Sequence, residues 1–497
     1  MHRSKLNNHR LYVTSAALRV VILIAIACVC TVAQQTARLE KGTCPVATPA
    51  GVPVECYKLT VPENRFKPST RLISLPVIVV KSTAAEPLSD PVVYTAGGPG
   101  AGSLGMVRGA ANLAPYTAKR DFIIFEQRGT EKADPNLNCP EVTSAIREYF
   151  GRGFTLKKEI AAEVAAAKTC RNRLSASGID LGAYSSRESS ADLDDLRRLL
   201  GVETWNLYGI SYSTRLMVNY ARDFPIRVRS IILDSVLPAT ANWDETGVEN
   251  IRAAIGRVFK ECGETAACTA KYPNLEKKFY ETISALDRTP VVMDVTLDGK
   301  PRTVKLYGRH FVDLIYNLAE GNGSLQWIPF TVDAVSIKNF DPLKKYADEQ
   351  FESSGFIWGM RFSVWCGEEM PFENRSAIAS SFRSNRRLGG FAVQRAMPQI
   401  CKVWNVPPAK NIENASVKIA APVLAFGGEF DPDTPTSWTE MVAGWSGHGY
   451  FFKVPSTTHG AMNRRCTFID IPVAFLANPT TMPDSACLRT IDPIAFK

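Results

Sequence analysis

Trp205-Asn206-Leu207-Tyr208-Gly209-Ile210-Ser211-Tyr212-Ser213 reads as a short buried strand running into a tight turn with a serine at its apex. A serine hydroxyl becomes a useful nucleophile when it projects from a sharp strand-to-helix turn beside a base, with small neighbours that let backbones pass closely. Gly209 supplies one small neighbour, and Ser213 stands where the usual Gly-x-Ser-x-Gly pattern has its second glycine. Taken alone, the stretch is equally compatible with a capped helix start, so the reading turns on partners. Of five histidines, His2 and His9 lie in the amino-terminal leader, His310 sits among lid-like residues and His448 precedes a strand. His459 directly follows the last strand-like run and is the expected general base. The acid should follow the preceding strand, where Gly427-Gly428-Glu429-Phe430-Asp431-Pro432-Asp433 offers three carboxylates. Asp431 is favoured, with Asp433 read as a turn-stabilising side chain and Glu429 as solvated. An oxyanion needs backbone N–H groups aimed at it. Tyr212, next to the nucleophile, is expected to supply one. Gly98, in Thr95-Ala96-Gly97-Gly98-Pro99-Gly100, is expected to supply the other, because Pro99 has no N–H. The same glycine-rich loop lacks the Gly-Lys-Ser/Thr ending and the dinucleotide spacing, which discounts a nucleotide.

The elements that must carry these residues alternate strand-like and helical runs, the pattern of a mostly parallel sheet covered by helices. Strands are expected at Leu72 to Val80, Pro91 to Tyr94, Asp121 to Phe125, Ser230 to Leu233, Pro422 to Phe426 and Tyr450 to Val454. Helices are expected at Glu159 to Leu174, Ser189 to Leu200 and Tyr212 to Phe224. Between residues 239 and 411 the text changes to longer helical stretches with a few polar strands, which reads as a helical lid inserted between two core strands. The expected division is therefore a leader over 1–33, a first core part over 34–238, the lid over 239–411 and a last core part over 412–497.

Composition bounds the class. A chain of 497 residues, 45% hydrophobic and 22% charged, is globular and large enough for a sizeable core. Its formal charge of +9 includes Arg3, Lys5, Arg10 and Arg19, which have no acid among them before residue 34; removing those four leaves +5. So mild and scattered a balance does not argue for nucleic acid. Residues 1–33, a basic lead followed by an apolar run from Val20 to Ala33, look like an export signal, with cleavage expected after Ala33. The run is short for a membrane span, and an uncleaved anchor is the alternative. Ten of the 12 cysteines lie beyond it. Export makes disulfides the default, and neighbour pairing would give Cys44 with Cys56, Cys139 with Cys170, Cys262 with Cys268, Cys366 with Cys401 and Cys466 with Cys487. No Cys-x-x-Cys occurs, so no metal is expected.

The ordered set Gly97-Gly98-Pro99-Gly100, Glu126-Gln127-Arg128-Gly129, Gly209-Ile210-Ser211-Tyr212-Ser213, Gly428 to Pro435 and Thr458-His459-Gly460 resembles the prolyl aminopeptidase family of α/β-hydrolases. More closely it resembles the exported tripeptidyl aminopeptidase-like branch, with its characteristic carboxyl-terminal region. The triad order Ser, Asp, His is that of the α/β-hydrolases. Departures are Ala96 for histidine, Glu126 for aspartate, Glu131 for glycine and Ser213 for the second elbow glycine. The resemblance implies an α/β-hydrolase core with an inserted, mainly helical lid. It also implies a serine peptidase, secreted or periplasmic, that removes short pieces from the free amino end of peptides without a cofactor. An exopeptidase must hold an ammonium. Glu368, matching the family's Cys-x-Glu, is the expected acid and Glu369 the second choice; a solvated acidic turn is the alternative for both. Peptides are the expected partners, with no stable membrane partner after signal cleavage. A carboxylesterase on the same triad and a non-catalytic binding protein on this fold are the competing functions.

Overall fold

A computed structural model describes residues 36–497 apart from 69, 298, 350–355 and 392. The signal-like segment 1–33 and its cleavage point therefore lie outside the described residues. Eleven strands are formed: β1 (Arg38–Gly42), β2 (Val54–Pro62), β3 (Leu72–Val80), β4 (Leu88–Thr95), β5 (Arg120–Phe125), β6 (Trp205–Ile210), β7 (Val228–Asp234), β8 (Val291–Leu297), β9 (Lys300–Leu306), β10 (Val423–Gly428) and β11 (Gly449–Val454). Nine of them make one sheet in the order β1-β2-β3-β5-β4-β6-β7-β10-β11. From β5 to β11 every pairing is parallel, and β1, β2 and β3 add an antiparallel flank. That is the mostly parallel α/β sheet expected from the alternation.

The central strands are apolar on both faces because side chains alternate across a pleated strand and both faces are covered. Leu207, Leu233 and Ala425 feed one core, while Tyr208, Ile232, Leu424 and Phe426 feed the other. Between β7 and β10 the chain builds a third core of its own, with Ile251, Phe279, Phe311, Ile315 and Leu343 buried from several helices around the β8–β9 hairpin. Phe430, the neighbour of Asp431, is buried in that third core, so the inserted segment grips the loop that follows β10. Ten cysteines form five disulfides, Cys44–Cys56, Cys139–Cys170, Cys262–Cys268, Cys366–Cys401 and Cys466–Cys487, which are the neighbour pairs. Among the described residues no helix is long and apolar enough to cross a membrane.

Candidate active site

Four loops meet at the carboxyl ends of the parallel strands, where open α/β sheets place their sites. They follow β4, β6, β10 and β11. Ser211 follows β6 directly, with φ 57° and ψ −129°, a conformation that is costly for any residue but glycine. Its N–H donates to the Asp234 carbonyl at 2.9 Å, and the helix Tyr212–Asp223 begins at the next residue. Gly209 is required at the elbow: a Cβ there would sit 2.7 Å from the Ser213 carbonyl oxygen. Ser213 is tolerated in the second glycine position because its hydroxyl is used. It accepts from the Ile210 N–H at 2.8 Å and donates to the Thr95 carbonyl at 2.7 Å, tying the elbow to the end of β4.

Asp431 is fully buried, and its carboxylate meets His459 Nδ1 at 3.0 and 3.2 Å. Its remaining lone pairs accept from the N–H groups of Asp433 and Thr434, each at 2.8 Å, and from the Thr434 hydroxyl at 2.7 Å. Burial would push the Asp431 carboxyl up, but the His459 charge and the Thr434 donors hold it below its ordinary value. Burial would lower His459 in turn, and the charges of Asp431, Asp433 and Glu320 instead push it up to about 10. The loop after His459 is fixed from the end of β7: Asp234 accepts from the N–H groups of Ala461 at 2.6 Å and Met462 at 3.1 Å, and the Ser235 hydroxyl accepts from Gly460 at 2.9 Å. With its carboxylate so engaged, Asp234 is a positioning residue, and Asp431 is the acid on the imidazole.

On the side of the glycine-rich loop, a Cβ at Gly97 would meet the Ser211 Cβ at 2.7 Å and its hydroxyl at 3.3 Å, so only glycine lets this loop lie against Ser211. Gly98 follows with φ 111°. Tyr212 opens a helix, where the first N–H groups have no intrahelical acceptor. The loop is held from below by Glu126, whose buried carboxylate accepts from the N–H groups of Ser103 at 2.7 Å and Leu104 at 3.3 Å. Gln127 donates to the Ala96 carbonyl at 2.6 Å. From the inserted segment, Arg361 donates to the Gly98 carbonyl while its guanidinium lies 3.7 Å over the Trp365 ring. Arg361 was not legible as a site residue, because nothing local in Gly359-Met360-Arg361-Phe362 marks it.

The two acids expected to bind an ammonium require correction. Glu368 is 3% exposed, and both its oxygens are taken by Ser186, from the N–H at 2.6 Å and the hydroxyl at 2.5 Å, with the same hydroxyl 2.8 Å from the Tyr212 phenol. Glu369 is 2% exposed and ion-paired with Arg215 on the helix Tyr212–Asp223 that follows Ser211; Arg215 also donates to the Pro238 and Ala239 carbonyls, each at 3.1 Å. Both carboxylates brace the inserted segment against the back of the elbow, and neither is a solvated turn. His310 is buried in the inserted segment, its Nδ1 accepting from the Tyr307 N–H at 3.0 Å, and His448 lies outside the site between β10 and β11. Glu429 pairs with Lys453 at 2.8 Å near the surface. Asp433 does more than stabilise its turn. Its carboxylate accepts from the Tyr316 phenol at 2.9 Å, and one of its oxygens lies within 4.8 Å of ligand atoms of both Asp431 and His459.

The lid helix Gly308–Glu320 brings a further acid that sequence reasoning missed. Just beyond its end, Asn322 donates to the His459 carbonyl at 2.6 Å and the Gly460 carbonyl at 2.9 Å, and accepts from the Thr458 N–H at 3.2 Å. The Thr458 hydroxyl donates to the Ala319 carbonyl. These bonds hold the end of the helix that carries Glu320 beside the loop that carries His459. Burial pushes its carboxyl up, countered by His459.

Similarity to known proteins agrees with this geometry. Residues 90–270 match the family model described as alpha/beta hydrolase fold, and residues 390–487 match the one described as TAP-like protein. The chain thus has an α/β-hydrolase fold, and its carboxyl-terminal part is similar to the TAP-like proteins. Serine protease Hip1 of Mycobacterium tuberculosis is 24% identical, over 96% of this chain and 97% of that protein. The tripeptidyl aminopeptidase of Streptomyces lividans is 29% identical over 41% of this chain and 40% of its own length. Among solved structures, a proline iminopeptidase from Mycobacterium smegmatis covers 85% of this chain and 98% of its own at 14% identity, with a TM-score of 0.38, a likeness too loose to bear on function.

Proposed function

We propose that this TAP-like α/β-hydrolase is an exported serine peptidase that cleaves short pieces from the free amino end of peptides. The observation that carries the reading is the Asp431–His459 pair at 3.0 Å, presented at adjacent strand ends beside the strained Ser211 elbow. In this reading the Ser211 hydroxyl attacks the scissile carbonyl while His459 takes its proton, and Asp431 holds and stabilises the imidazolium. The N–H groups of Tyr212 and Gly98 donate to the tetrahedral oxyanion. Collapse breaks the C–N bond, His459 returns the proton to the leaving amine, and water then releases the acyl group from Ser211 by the same steps. The relatives named serine protease and tripeptidyl aminopeptidase support peptide substrates, and five disulfides support an oxidising compartment.

The test is a panel of chromogenic peptides with free and acetylated amino ends, together with small neutral esters. Faster cleavage of the free peptides is expected. Equal or faster cleavage of the blocked ones would contradict the aminopeptidase reading and leave an endopeptidase, and turnover of esters alone would leave a carboxylesterase.

A further inference from the structure

The glycine-rich loop does little to hold itself. Its only internal backbone bond over Gly97-Gly98-Pro99-Gly100, among the described residues, is the long one from the Ala101 N–H to the Gly97 carbonyl, at 3.3 Å. Pro99 has no N–H to give, and glycine takes positive and negative φ with similar ease. The φ of 111° at Gly98 must therefore be fixed from outside the loop.

Two clamps come from the inserted segment. The Ile357 N–H donates to the Gly100 carbonyl at 3.0 Å, and the approach is so close that a Cβ on Gly100 would sit 2.6 Å from the Ile357 carbonyl oxygen. One turn further on, in the helix Trp358–Val364, Arg361 donates to the Gly98 carbonyl. Arg361 is itself held on two more sides. Its guanidinium lies 3.7 Å over the Trp365 ring, whose Nε1 donates to Asp244 at 2.6 Å, and its Nε donates to the Gln394 amide oxygen at 2.8 Å. The ring, the amide and the Gly98 carbonyl are all neutral, so no contact cancels the positive charge. Burial pushes the guanidinium down to about 10, opposed by Asp244, Tyr316, Asp433 and Glu320, and it stays charged at neutral pH.

The consequence falls on one N–H. Gly97 is packed against Ser211 and the next carbonyl is pinned by Arg361. Gly98 between them has little freedom left about its two backbone bonds, and its N–H, the donor assigned to the oxyanion, keeps one direction. A donor aimed before the reaction begins costs no reorganisation when charge develops.

We propose that Arg361 is a positioning residue for the reaction: by pinning the Gly98 carbonyl it keeps the Gly98 N–H aimed at the oxyanion, so the oxyanion hole is complete only with the inserted segment seated on the glycine-rich loop. This rests on the serine-hydrolase reading with Gly98 as a donor. It is tested with kcat and KM of the parent, Arg361→Met, Arg361→Lys and Ser211→Ala, on p-nitrophenyl acetate and on the peptide p-nitroanilide that the parent cleaves fastest. Ester and amide form the same oxyanion, so Arg361→Met lowers kcat on both. Removing an oxyanion donor outright costs about 10²–10³ in kcat; a donor kept but misaimed costs less, about ten- to a hundredfold. KM for the peptide stays within about twofold of the parent. The inhibition constant of the matching peptide aldehyde, whose adduct carries the same oxyanion, rises by about the factor lost in kcat. Arg361→Lys, which keeps a charged donor, recovers part of the loss. Parent kcat on both substrates overturns the proposal. So does a rise in KM confined to the peptide, because Arg361 would then touch the substrate. If Arg361→Met does not fold, Arg361→Lys decides: a lower kcat on both substrates at the parent KM supports the proposal, and the parent kcat overturns it. Turnover that survives in Ser211→Ala removes the serine-hydrolase reading, and the proposal with it.

Discussion

Two pairs of acids on the elements packed over the sheet invite comparison. Glu368 and Glu369 sit behind the nucleophile with donors supplied by this chain: Ser186 for one, Arg215 for the other. Glu163, on the helix Leu156–Ala176, and Asp313, on the helix Gly308–Glu320, line a cavity of about 300 Å³; each is hydrogen-bonded to a phenol and neither has an ion pair among the described residues. All four are carboxylates in a low-dielectric setting, where an unpaired charge is expensive. The difference teaches that position in a motif does not tell an acid that braces the fold from one left without a counter-charge. What separates them is whether the chain itself supplies the counter-charge.

The largest effect on the chemistry lies in front of both groups. Ser211→Ala removes the nucleophile and should lower turnover by several orders of magnitude, with an unchanged melting temperature. Retained activity in the purified variant would remove the reason for comparing the acids at all. The next largest effect falls on stability. Glu369→Gln leaves Arg215 buried without its counter-ion and should cost about 3–5 kcal/mol, read as a lower denaturation midpoint. Glu163→Gln removes a carboxylate that has no cation and should leave the midpoint nearly unchanged or raise it. If the two variants lose stability equally, the division into paired and unpaired acids fails. Glu368→Ala should cost about 1–3 kcal/mol, because the Ser186 N–H and hydroxyl lose their acceptor, again without a selective rise in KM for amino-free peptides.

The smallest expected effect is on pH dependence. His459 must be neutral to take the Ser211 proton, so activity rises as pH passes its pKa. Asp431, Asp433 and Glu320 push that pKa up. Replacing Asp433 by Asn removes one negative neighbour, lowers the histidine and moves the rising limb of kcat/KM toward lower pH, by about half a unit to one unit. An unmoved or upward-moved limb would show that Asp433 does not act on the imidazole.

What was legible in the sequence follows the same line. Ser211, Asp431 and His459 were readable as candidates because each lies in the loop that follows a strand, and the strands β6, β10 and β11 are short, largely apolar runs ended by glycine or a turn. The parallel sheet was readable from alternation. β1 and β2 were not, since exposed or half-buried residues interrupt their apolar pattern. Glu368 was read from a motif, but its partner Ser186 is 182 positions away and no local pattern reports it. Glu320 was missed for the same reason: it is placed by Asn322 and Ala319 bonding to the loop around Thr458 and His459, more than a hundred residues on. Asp433 was read as a turn residue because its backbone does serve the turn, while its side chain is claimed by Tyr316 from the lid.

The central claim, that Ser211 is the nucleophile activated by His459 and Asp431, is tested most directly with a fluorophosphonate. The parent enzyme should take up one equivalent, lose activity in proportion, and yield a single modified tryptic peptide with the phosphonate on Ser211; His459→Ala should react far more slowly. Modification at another serine, or full activity in protein labelled at Ser211, would contradict the account.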